Sequence, residues 1–152
     1  DTASTEIYTI LFVGSVRCVL ETEFLEFGSE ISEIFSPEKI IPSAGQGIIA
    51  LQCREQDQKI NSILKNINHE ETYMRAHSER NVLKVLEGDC ETAVGAYSKI
   101  EGSVITLEAE LFSLDGLERF YEKKTGRLED YSEIGKEVGE VLKSKSSNSY
   151  KR

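Results

Sequence analysis

The stretch Ile105-Thr106-Leu107-Glu108-Ala109-Glu110-Leu111 decides the fold. Apolar and polar residues alternate strictly through it, which is the period of a β-strand with one buried and one wet face. Glu101-Gly102 stands before it and Asp115-Gly116 after it, and both pairs suit hairpin turns. A strand is therefore predicted on each side, over 92–99 and over 120–124. The last of the three reads as an edge, with Lys123 and Lys124 as charges that discourage further pairing.

Helical periodicity frames these strands. Asp57 can cap a helix in which Ile60, Ile63, Leu64 and Ile67 recur on one face. A second helix is predicted from Asn68, with Glu71 completing a capping box. Ala76, Leu83 and Leu86 give it an apolar stripe with Val82 alongside, and Gly88 is placed to stop it. A third helix over 132–143 carries Ile134, Val138, Val141 and Leu142. Gly135 and Gly139 each weaken it by roughly 1 kcal/mol relative to alanine. Residues 55–145 thus read as α-α-β-β-β-α: an α+β fold, a small three-stranded antiparallel sheet with helices on one face. Upstream, Ile7–Val13 has the look of a buried strand, and Thr22–Phe35 a helical pattern interrupted by Gly28. Ser36–Gly47 is a loop punctuated by prolines and glycines, and Ile48–Cys53 a short strand. Lys143, Lys145, Lys151 and Arg152 form a basic, Ser-rich tail, expected to be a solvated, frayed end.

The chain has 152 residues, 39% of them apolar and 30% charged, and a net charge of −9. That surface repels phosphate backbones, which argues against nucleic acid as a partner. No apolar run approaches the ~20 residues of a membrane span. Cys18, Cys53 and Cys90 are too few and too scattered for a disulfide framework, and they suit a reducing, cytoplasmic setting. His69 and His77 have no cysteine near them in sequence, so capping or helix-surface roles suit them better than metal binding.

Two stretches carry more than fold. The first is Ile41-Pro42-Ser43-Ala44-Gly45-Gln46-Gly47, running into Ile48-Ile49-Ala50-Leu51-Gln52-Cys53-Arg54. The second is Ser78-Glu79-Arg80, followed by Leu86-Glu87-Gly88-Asp89-Cys90 and then Val94-Gly95-Ala96-Tyr97. In order and spacing across residues 37–143 they resemble the C-terminal portion of the porphobilinogen deaminase (hydroxymethylbilane synthase) family. That family shows P-x-V-G-Q-G leading to E-C-R, then N-H-x-E-T, A-E-R, and L-E-G-G-C followed by P-V-G-A-Y.

The resemblance implies a transferase that joins four porphobilinogen molecules into hydroxymethylbilane with release of ammonia. The growing chain is anchored on a dipyrromethane cofactor. Cys90 stands at the family's attachment cysteine, where a soft, nucleophilic thiol forms a lasting thioether. Read without the resemblance, Cys90 is a small buried residue in a helix-to-strand turn. Asp89 replaces a family glycine, and its charge is expected to raise the thiol's pKa. Gln46 and Gly47 match a segment near the family's cofactor; they read either as a hinge turn or as direct pyrrole contacts. Arg17 matches an arginine that binds pyrrole carboxylates, and reads equally as a surface arginine. Glu79-Arg80 reads as a source of structural ion pairs.

By the same resemblance residues 1–35 are a remnant of domain two. Residues 36–54 are a hinge and strand returning to domain one, and 55–152 are the C-terminal cofactor-attachment domain. The family's catalytic aspartate, in D-x-x-V-H-S-x-K-D, and its arginine-rich G-T-S-S-x-R-R have no counterpart here, so no catalytic residue is assigned. Two functions follow: part of a tetrapyrrole-forming enzyme that needs a separate N-terminal half and is inactive alone, or a non-catalytic remnant or interaction module that keeps the fold.

Overall fold

Strict alternation at 105–111 becomes the central strand of the sheet. In the computed structural model, which describes residues 31–88 and 92–151, β1 (Val94–Glu101), β2 (Val104–Phe112) and β3 (Arg119–Arg127) pair antiparallel in the order β1-β2-β3. Ala96 lies opposite Ala109 and Leu107 opposite Lys124. Ile105, Leu107, Ala109 and Leu111 are fully buried. On the other face Thr106 meets Thr125, Glu108 pairs with Lys123, and Glu110 with Arg119. Gly102 and Gly116 take positive φ in the two turns, as the sequence predicts. β3 extends further than expected, through Arg127, and its edge is blunted by charge: Lys145 donates to the Tyr121 carbonyl and pairs with Glu122.

Three helices follow from the predicted periodicities: α1 (Gln58–Ile67), α2 (Glu70–Leu86) and α3 (Tyr131–Ser146). α2 and α3 pack on each other and on the sheet, burying Val82 and Leu86 from one and Ile134, Val138 and Leu142 from the other. This gives the α+β architecture expected. The cost of Gly135 and Gly139 in α3 has a return in packing: a Cβ at Gly135 would collide with the Ser78 carbonyl, and one at Gly139 would lie 2.8 Å from Val85 Cβ. The helices approach through these two positions.

Helix ends differ in detail from expectation. Asp57 caps α1 through the Ile60 amide, as predicted. The N-cap of α2 is His69 rather than Asn68; its Nδ1 accepts the Thr72 amide, a role open to any short side chain with an acceptor. The left-handed stop is Glu87, at φ +54, not Gly88. Glu87 and Gly88 donate back to Lys84 and Leu83, the paired bonds of a Schellman motif.

Two expectations fail outright. The tail is not frayed. Ser147 and Asn148 adopt left-handed conformations and turn the chain back. The Leu114 amide donates to Ser149 O, and Tyr150 enters the core at 1% exposure. Residues 48–53 form no strand; Ile49 and Leu51 are 77% and 61% exposed. A strand needs ladder partners, and among the described residues none is offered to this segment. The stripe of α1 is likewise uncovered, with Ile60, Ile63 and Ile67 exposed and no residue of that helix buried.

Candidate functional site

The described residues around the attachment motif form a braced helix end. The last carbonyls of α2 are all taken. Val85 O accepts Lys143 Nζ at 3.2 Å, and Leu86 O accepts the buried Tyr150 hydroxyl at 2.9 Å. Glu87 is held by Lys151 at 3.0 Å and by Lys143 at 3.6 Å. The hydrogen bond from Lys151, aided by the charge of Lys143, keeps the Glu87 carboxyl below its ordinary range. A helix normally leaves these carbonyls to water. Here the returning tail and α3 satisfy them, so the chain leaves α2 from a fixed point at Gly88. Cys90 and Asp89 lie just beyond, outside the described residues, as does Arg17.

A second cluster gathers the loop that carries Gln46 and Gly47. Gly45 and Gly47 take φ of +74° and +77°, which supports the hinge reading of this turn. Gln46 Oε1 accepts the Ser43 amide, and the Gln46 amide donates to Ser43 O. The loop lies along the open edge of β1. There the Ala96 amide donates to Pro42 O, and any side chain at Gly95 would strike the Ile41 carbonyl.

Glu79 completes that edge. It makes no ion pair of the kind the sequence suggests. It is buried and accepts two backbone amides, from Gly45 and Ser98. Burial pushes its carboxyl above the ordinary range, against the two amide bonds and the charge of Arg75. Sequence reasoning missed both Glu79's role and Tyr150's. Ser78-Glu79-Arg80 stood in the motif as a signal for the first; Tyr150, in a Ser-rich tail, had none.

Several cations among the described residues are paired locally. Arg119 is committed to Glu110, and Arg127 to Glu129 and Asp130. Lys99, Lys123 and Lys124 face Glu101, Glu108 and Glu137. Arg80, by contrast, is exposed with no ion pair among the described residues, and Arg54, 88% exposed, reaches only Asp57 at 3.8 Å. Cys53, the described thiol, is half-buried, 3.4 Å from Asn61 Oδ1.

Two family models match the chain. Residues 73–144 match "Porphobilinogen deaminase, C-terminal domain", and residues 22–62 match "Porphobilinogen deaminase, dipyromethane cofactor binding domain". The chain belongs to the porphobilinogen deaminase family. What it holds is the C-terminal portion. Relatives named porphobilinogen deaminase include that of Chloroherpeton thalassium, 33% identical over 82% of this chain and 41% of the relative. Those of Desulforamulus reducens and Staphylococcus carnosus are 36% and 32% identical, each over 74% of this chain and 36% of the relative. The chain therefore spans about two fifths of the length of these relatives. The match to the cofactor-binding model contains Gln46, Gly47 and Cys53, whereas Cys90 falls within the C-terminal-domain match. No described helix is long and apolar enough to cross a membrane.

Proposed function

We propose that this chain is the cofactor-carrying C-terminal portion of a cytoplasmic hydroxymethylbilane synthase. That enzyme condenses four porphobilinogens into hydroxymethylbilane and releases ammonia. In this reading Cys90 is the thioether attachment point of a dipyrromethane, which supplies the starting pyrrole pair on which the product chain grows. The observation that carries the reading is the attachment motif at the end of a braced helix. The carbonyls of Val85 and Leu86 are locked by Lys143 and Tyr150, and the family's cysteine position follows four residues after Leu86. A nucleophile on a short segment leaving a rigid helix keeps one fixed end while its neighbours adapt to a lengthening product.

The family's arginine-rich G-T-S-S-x-R-R stretch has no counterpart in this sequence, and Arg119 and Arg127 are paired with local acids. The arginines that bind acetate and propionate groups therefore belong to a partner in this reading. We assign that role, with the acid that assists ammonia loss, to a separate N-terminal half. Arg17 is the candidate pyrrole ligand from this chain, and Gln46 and Gly47 are the candidates at the cofactor. Residues 1–35 are then a remnant of domain two, 36–54 the hinge and strand returning to domain one, and 55–152 the attachment domain. Within 36–54 it is the exposed 48–54 portion that is free to add to a partner's sheet.

Co-expression with a family N-terminal half, followed by intact mass measurement, tests the proposal. A dipyrromethane adduct lost in Cys90→Ser supports it. An adduct on Cys18 or Cys53 refutes the assignment of Cys90. A second reading, a non-catalytic remnant or interaction module, draws on Asp89, which places a charge and a side chain where the family has glycine. Absence of any adduct and of porphobilinogen consumption with the partner present favours it.

A further inference from the structure

We infer that Glu79 is the positioning residue of the Gln46–Gly47 loop: one buried carboxylate on α2 fastens that loop to the open edge of β1. Glu79 Oε2 accepts the Gly45 amide at 2.8 Å, and Oε1 accepts the Ser98 amide at 2.8 Å. The residue is 3% exposed, and the Ser98 amide points away from β2, on the edge of β1 that no strand joins among the described residues. An edge strand normally offers its outward amides to water or to another chain. Here the Ala96 amide takes Pro42 O and the Ser98 amide takes Glu79, so loop and side chain together replace a fourth strand.

A carboxylate suits this post because it can accept on both oxygens at once, which no neutral side chain does with two donors. The rest of the loop hangs from the anchored residue. The Ile48 amide donates to Gly45 O, and Gln46 and Ser43 close on each other. Losing the Gly45 anchor therefore frees the segment that carries Gln46 and Gly47. The bearing of this anchor on chemistry rests on the proposed role of those two residues, but the anchor itself does not.

The groups facing the carboxyl are Arg75 on its own helix, the Ser98 amide and hydroxyl on β1, and the Gly45 amide on the loop. Burial raises its pKa against all of them.

Amide hydrogen exchange on the full chain, read residue by residue by NMR, tests this without partner or substrate. Glu79→Ala is expected to speed exchange at both Gly45 and Ser98 by about tenfold or more, the loss of a buried acceptor. Glu79→Gln, with one acceptor oxygen, is expected to release one of the two. Leu107 and Ala109, in the central strand, should keep their protection in both variants. If Glu79→Ala does not fold, Glu79→Gln carries the test. Unchanged exchange at both amides, or equal acceleration at Leu107 and Ala109, would overturn the inference. None of these outcomes bears on whether Cys90 carries a dipyrromethane, so the two proposals fail separately.

Discussion

α1 and α3 bear the same kind of apolar stripe and meet opposite fates. In α3, Ile134, Val138 and Leu142 lie against α2 and the sheet at 2% exposure or less. In α1, Ile60, Ile63 and Ile67 face outward, and the extended residues before it leave Ile49 and Leu51 uncovered as well. The local sequence is amphipathic in both places. What differs is the supply of a complementary surface, which residues 70–151 provide for themselves and residues 48–67 do not. The contrast agrees with a chain that spans about two fifths of its relatives' length.

The largest effect is expected in the self-sufficient region. Leu107→Ala removes a fully buried side chain from the central strand. It should cost about 2–5 kcal/mol, seen as a lower urea midpoint with an unchanged slope. A loss below about 1 kcal/mol would mean that the sheet is not the packed centre. An intermediate effect is expected from Tyr150→Phe, which keeps the ring and deletes the hydroxyl that caps Leu86 O. It should cost about 1 kcal/mol by the same measurement. No change would return the tail to the frayed end that its composition suggests.

The smallest effect belongs to the uncovered region. Ile63→Ser in the chain alone should shift stability by less than about 0.5 kcal/mol, because that side chain is 48% exposed and outside the core. The same substitution should weaken association with an N-terminal half in a pull-down or titration. A large stability loss in the isolated chain would show that α1 is packed after all, and would erase the contrast.

Much of the fold was legible because its periods are local. The alternation at 105–111 and the stripes at 60–67 and 134–142 needed no tertiary information to read. What was not legible depended on surfaces brought together by folding. Tyr150 became core because Ser147 and Asn148 reverse the chain onto α2; Asn favours the left-handed conformation, but a Ser-rich tail does not say where the reversed chain will dock. Glu79 read as a member of a structural ion pair, because the amides that it serves come from Gly45 and Ser98, far apart in sequence. Ile48–Cys53 misled in the other direction. Its pattern is that of a strand, but a strand is a property of a pair, and the described residues hold no partner for it. The attachment motif itself was readable only as a resemblance; no local period distinguishes Cys90 from a buried structural thiol.

We propose that Cys90 carries the cofactor on a scaffold completed by a partner. Intact mass spectrometry of the chain, purified after co-expression with a family N-terminal half, tests this proposal. A mass increase equal to one dipyrromethane is expected in the unmutated chain and none in Cys90→Ser. An increase that survives Cys90→Ser would contradict it.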